Sequence, residues 1–117
     1  MKEFDLKKRT KQYALRIIKL FRSLPKSGEA QVIGRQLLRS GTSVGAQYRE
    51  ACRSRSNAEF ISKMGSSLQE LDETAYWLEL LIEGEIVSAK RLGDLLTETD
   101  ELIAIFVSSV KTTKSRK

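Results

Sequence analysis

The chain has 117 residues, 31% of them charged, a net charge of +6 and a pI near 9.6. That length fits one domain, 1–117, able to bury roughly 65% of its unfolded surface around a single core. One cysteine, Cys52, and no histidine exclude an internal disulfide and leave no second ligand type for a zinc cluster. No apolar run approaches the roughly 20 residues of a membrane span, and the start MKEFDLKKR lacks the apolar stretch of a secretory signal. A cytoplasmic protein with no membrane association is therefore expected. The charge is unevenly spread: residues 1–56 hold fourteen Lys/Arg against four acids, whereas residues 57–88 hold one Lys against seven. Such polarity admits two readings, a nucleic-acid face or complementary faces that meet when subunits associate.

With a single proline and no β-type alternation, the chain parses into four long helices. Short connections between them predict an all-α, antiparallel, up-down-up-down four-helix bundle. Helix 1 is expected from Asp5, a suitable N-cap, to Ser23, before the loop Leu24-Pro25-Lys26-Ser27-Gly28. Leu6, Tyr13, Ile17, Leu20 and Leu24 mark its core face. Lys8, Lys11, Lys19 and Arg22 mark the far face, with Leu15 exposed among them.

Helix 2 is expected over about Glu29–Arg53. Its core face carries Ile33, Leu37, Val44, Tyr48 and Ala51. On the opposite edge Arg35, Arg39, Arg49 and Arg53 fall within an arc of about 80° at 100° per residue. Between them lies Ser40-Gly41-Thr42-Ser43-Val44-Gly45, where each glycine costs about 1 kcal/mol relative to alanine in a helix. One continuous helix is the preferred reading, because Gly41 and Gly45 are four apart beside the core face, where they let a neighbour approach closely. The alternative, two short helices joined by a turn, would destroy the alignment of the arginines.

Helix 3 begins at an N-cap, Ser56 or Asn57, with Glu59 in its first turn. Its apolar seam runs through Ile61, Met64, Leu68, Leu71, Ala75, Leu78 and Ile82, and Gly84 gives the stop. Trp77 lies well off that seam beside Leu80. They read as an oligomer interface, together with Leu15 and with Glu70 and Glu73 on the same outer face; packing of Trp77 at the bundle's edge is the alternative. Helix 4 repeats the pattern from about Ser88 to Val110, with Ile105 off its seam. A short basic tail from about 111 to Lys117 is expected to be disordered.

The arginine edge, with Arg55 just beyond it, offers about 6 Å per helical turn, close to the separation of successive phosphates on one nucleic-acid strand. Arginine binds phosphate bidentately and stays charged, so the edge suits backbone binding without reading sequence. Lys7, Lys8, Arg9 and Lys11 form a second basic cluster near the chain start, and with Lys19 and Arg22 of the same helix it would extend this surface if helices 1 and 2 are neighbours. The bland reading is a solvated helix face, paired with acids such as Glu50 and those of helix 3. No histidine base, nucleophile elbow, phosphate-cradling loop or metal-site pattern is present, so neither an enzyme nor a cofactor or metal is expected.

The stretches QLLRSGTSVGAQYREA and FISKMGSSLQELDETAYWLELL, with FDLKKRTKQYALRIIKLFRSLP before them, resemble the proteins encoded in intervening sequences of bacterial 23S rRNA genes. Many relatives carry proline and asparagine where this chain has Gly45 and Gln47, and a hydrophobic or aromatic residue where it has Lys8 or Arg9. The resemblance implies a four-helix bundle and a homo-oligomeric ring of five subunits. It also implies kinship with the accessory variability determinant of diversity-generating retroelements, and so RNA and a reverse transcriptase as partners. The function expected on these grounds is a non-enzymatic nucleic-acid-binding accessory protein. A protein-interaction scaffold that binds no nucleic acid is the alternative.

Overall fold

The computed structural model describes residues 5–116. They form four helices, α1 (Leu6–Ser23), α2 (Gly28–Cys52), α3 (Asn57–Glu83) and α4 (Ala89–Lys114), in a bundle measuring 50 × 22 × 21 Å. No strand occurs among the described residues, and no described helix is long and apolar enough to cross a membrane. Side-chain caps start three of the helices: Asp5 accepts from the Lys8 amide, Ser56 from Glu59 and Ser88 from Arg91. At the end of α3 the amide of Ile86 donates to Leu81 O and that of Glu85 to Ile82 O, a Schellman closure. Its left-handed residue is Glu85, at φ 60°, whereas Gly84 has an ordinary φ of −80°. The glycine that marks the stop in the sequence is thus the C-cap, and a glutamate carries the strain one residue later.

α1 packs on α2, α2 on α3 and α3 on α4, each pair antiparallel. The bundle closes between α1 and α4, where Tyr13 meets Thr99, Arg9 meets Glu98 and Arg91 reaches Ser23. Tyr48 of α2 lies 5.6 Å from Phe106 of α4 across the interior. All five core residues expected on helix 1 are buried, and Leu37, Val44 and Ala51 form the centre of α2's core face.

α2 is one unbroken helix through Gly41 and Gly45. A Cβ on Gly41 would sit 2.7 Å from Ile17 Cγ1, and one on Gly45 3.0 Å from Thr10 Oγ1. The glycines therefore set how closely α1 approaches. Against α3 the same helix uses hydroxyls. Thr74 Oγ1 donates to Glu70 O at 2.7 Å, so it accepts from Ser40 Oγ at 2.8 Å. Ser67 Oγ donates to Val44 O at 2.8 Å. These three side chains are fully buried with their hydrogen bonds made.

Those hydroxyls correct the expected seam of α3. The buried stripe is Met64, Ser67, Leu71, Thr74, Leu78 and Leu81, whereas Ile61, Leu68, Ala75 and Ile82 are only half-buried. The helix is turned by about 50° from the purely apolar seam. Small residues at the α2–α3 contact let the backbones come close, and each hydroxyl finds a partner there. α4 also differs from expectation. It continues past Val110 to Lys114, because Thr113 extends the stripe of Thr99, Leu102 and Phe106, is buried, and donates to Ser109 O. The expected disordered tail is thus helical through Lys114; Lys117 lies outside the described residues.

Tyr13 gives the closure between α1 and α4 a pH signature. Thr99 Oγ1 donates to Leu95 O, so Tyr13 donates to Thr99, at 2.6 Å. Burial pushes the Tyr13 phenol up to about 12. An unfolded phenol titrates near 10, so Tyr13's contribution is complete below about pH 10 and is lost as pH rises toward 12. Tyr13→Phe is expected to flatten this alkaline loss, measured as urea midpoints from neutral pH upward. Part of the slope should survive, since burial also raises the phenol of Tyr48. Identical pH profiles for variant and parent would show that Tyr13 ionises freely in the fold.

Candidate nucleic-acid interface

Continuity of α2 brings Arg35, Arg39 and Arg49 onto one outward edge that ends at the C-cap, Arg53, and all four are exposed. The edge spans about 27 Å along the helix, with two arginine pairs each about 6 Å apart and about 15 Å between the pairs. Thr42 and Ala46 occupy the outward positions between the pairs, so the surface there is low. Thr42 Oγ1 donates to Leu38 O, which keeps its hydroxyl against the helix.

The four arginines differ in their surroundings. Arg39 donates through Nη1 to Glu70 Oε1 at 3.3 Å and through Nη2 to Glu73 Oε2. The bond to Arg39 holds the Glu73 carboxyl below the usual carboxylate range. Glu73 further accepts from the Trp77 indole N–H at 3.0 Å, and Glu70 accepts from Gln47 at 3.3 Å. Arg35, Arg49 and Arg53 form no ion pair among the described residues. Glu50, the acid nearest this edge in sequence, is held by Lys63 of α3 at 3.0 Å. Three cations on the edge therefore remain available to an external anion, and the fourth is neutralised from within.

Beyond the edge, Arg55 anchors the α2–α3 loop through its amide, which donates to Glu59 Oε1 at 3.0 Å. Its exposed side chain stands at the rim of an open pocket of about 810 Å³ at the end of the bundle, walled by Tyr48, Phe60 and Ile105. Among the described residues no group of three or more metal-ligating side chains converges there or elsewhere.

The expected second basic surface resolves into two kinds of residue. Lys8, Lys11, Lys19 and Arg22 are exposed on the outer corner of α1, in a stripe adjacent to the α2 edge but distinct from it. Arg9, from the same basic cluster, turns instead toward α4, where Nε lies 2.8 Å from Glu98 and Nη2 2.6 Å from Glu101. The residues read as an oligomer interface are also placed unevenly. Leu15 is 56% exposed, but Trp77 and Leu80 are half-buried. Trp77 packs against the core with its ring edge-on to Tyr76, 5.2 Å away. The rotation of α3 draws the indole toward the bundle, and Tyr76, 53% exposed, takes the outward position. Glu70 and Glu73 face the arginine edge of their own chain. The network matches the alternatives that the sequence offers, arginines paired with acids of helix 3 and Trp77 packed at the bundle's edge.

Comparison with known proteins agrees with the architecture. No curated protein matches the chain. Among solved structures, a protein of unknown function from the S23 ribosomal protein family of Bacteroides thetaiotaomicron VPI-5482 is similar, with 37% identity and a TM-score of 0.84. The match covers 90% of this chain and 97% of that one. Residues 2–108 match the family model of the 23S rRNA-intervening sequence protein. With an unbroken α2, four antiparallel helices and a match over nearly its whole length, the chain belongs to the 23S rRNA-intervening sequence protein family.

Proposed function

We propose that the protein is a non-enzymatic, homo-oligomeric accessory of a nucleic-acid assembly, gripping RNA or DNA backbone along the outer edge of α2. The observation that carries this reading is the set Arg35 and Arg49 on an unbroken helix and Arg53 at its C-cap, with no internal acidic partner among the described residues. Arg49 and Arg53, about one helical turn apart, meet successive phosphates, Arg35 meets another about 21 Å along the helix, and the low surface at Thr42 and Ala46 lets a strand lie close between them. No exposed aromatic interleaves with the arginines, so the edge positions a backbone and does not read bases. The family resemblance favours a pentameric ring, with ribosomal RNA or a reverse transcriptase as partner.

Fluorescence anisotropy with labelled RNA and DNA oligonucleotides of unrelated sequence tests the reading. Joint substitution Arg35→Ala, Arg49→Ala and Arg53→Ala should weaken binding at least about tenfold at 50 mM salt. It should also flatten the slope of log K against log[salt] by about 2 to 3, because three phosphates are no longer neutralised by the protein. Arg39→Ala should have the smallest effect of any single change on the edge, because Glu70 and Glu73 already hold that charge. Wild-type protein that binds no oligonucleotide at low salt would reject nucleic-acid binding and leave a protein-interaction scaffold.

A further inference from the structure

Among the described residues three large hydrophobic side chains are exposed, Leu15, Val32 and Tyr76. Leu15 stands at the centre of a cationic stripe and Tyr76 at the edge of an anionic one. Around Leu15 on α1 lie Lys8, Lys11, Lys19 and Arg22, all exposed and within about 80° of one another on the helix. Beside Tyr76 on α3 lie Asp72, Glu79 and Glu83, all exposed and within about 60° when Tyr76 is included. None of these charged side chains forms an ion pair among the described residues. The Tyr76 ring is steadied edge-on by Trp77, itself hydrogen-bonded to Glu73. An apolar anchor flanked by unpaired charge has the composition of an interface centre beside its rim.

The two stripes cannot meet within one chain. α1 and α3 each pack on α2, and they occupy diagonally opposite corners of the bundle, with their charged stripes turned outward in opposite directions. We infer that the Leu15 corner of one copy docks on the Tyr76 corner of the next, a head-to-tail contact between copies of this chain. This rests on the proposal above that the protein self-associates, and it names the faces. Four cations oppose three anions, so a second copy supplies the complement that each corner lacks. Because the surfaces differ, the contact is heterologous, and repetition closes a ring or extends a row. α2 lies between the two corners and stays uncovered. Its arginine edge would then face the same way in every copy, so that one strand can engage several copies at once.

Blocking one face at a time tests the inference. Lys11→Glu with Lys19→Glu disables the α1 corner and leaves Tyr76 intact. Tyr76→Ala with Glu79→Ala disables the α3 corner and leaves Leu15 intact. All four positions are exposed, and far-ultraviolet circular dichroism checks that the helices persist. In sedimentation velocity each variant alone should associate at least about tenfold more weakly than wild type. An equimolar mixture should form a one-to-one dimer that grows no further, since each partner lends its one intact face. Wild-type multimers unchanged by either block would overturn the assignment of faces while leaving self-association standing. A wild type monomeric at every concentration and at low salt would overturn both.

Discussion

Gly41→Ala is expected to destabilise the protein by about 1–2 kcal/mol, although alanine is the better helix former by about 1 kcal/mol. The new Cβ would stand 2.7 Å from Ile17 Cγ1 and 2.9 Å from Cγ2. Ile17 is fully buried and β-branched, so it holds one strongly preferred rotamer in α1 and has nowhere to withdraw. Gly41→Val should cost about 3 kcal/mol, since two further methyl groups meet the same wall. Gly65 supplies the control: nothing lies within 4 Å of a Cβ there, and Gly65→Ala should stabilise by about 0.5–1 kcal/mol. The sharper test is a double-mutant cycle. Ile17→Ala alone should cost about 2–5 kcal/mol, and in that background Gly41→Ala should become neutral or stabilising, because both clashing carbons, Cγ1 and Cγ2, are gone. Additive effects would mean that α1 and α2 do not meet at Gly41, and with that the continuity of the arginine edge would lose its structural cause.

The contrast between Gly41 and Gly65 also shows what the sequence makes legible. Helix starts could be read because Asp5, Ser56 and Ser88 are short polar side chains just ahead of apolar periodicity, and each caps as its chemistry predicts. The continuity of α2 could be read from two glycines four residues apart. The rotation of α3 could not, because a seam inferred from apolar residues ignores hydroxyls, and Ser67 and Thr74 are buried only since α2 offers Val44 O and Ser40 to them. That rotation also decides between readings that the sequence leaves open, a free arginine edge or one paired with helix-3 acids, and Trp77 at an interface or at the bundle's edge. The pairing of Arg39 with Glu70 and Glu73, the half-burial of Trp77 and the outward position of Tyr76 are set by which way α3 turns. Periodicity places residues on a face; the partner across the groove decides which charges survive there.

Arg9 carries the same lesson into energetics. Arg9→Ala is expected to cost about 2–3 kcal/mol, below the roughly 3–5 kcal/mol of a fully buried pair, because both side chains keep some exposure, 19% for Arg9 and 17% for Glu98. Nε and Nη2 of the guanidinium each lie 2.8 Å from one oxygen of the Glu98 carboxylate, a bidentate pairing, and Nη2 also reaches Glu101. Removing the arginine leaves Glu98 half enclosed between α1 and α4 without its counter-charge, which is the source of the penalty. The joint change Arg9→Met with Glu98→Met should recover most of the stability, since no charge is then left uncompensated. Urea unfolding of the three variants measures this, and an Arg9→Ala variant within about 0.5 kcal/mol of wild type would show a pair worth no more than an ordinary surface contact. The same variant separates structure from function in the basic cluster of α1. Arg9 faces α4 and not the outer corner, so under conditions where the protein remains folded Arg9→Ala should leave oligonucleotide affinity within about twofold of wild type, consistent with its touching no phosphate.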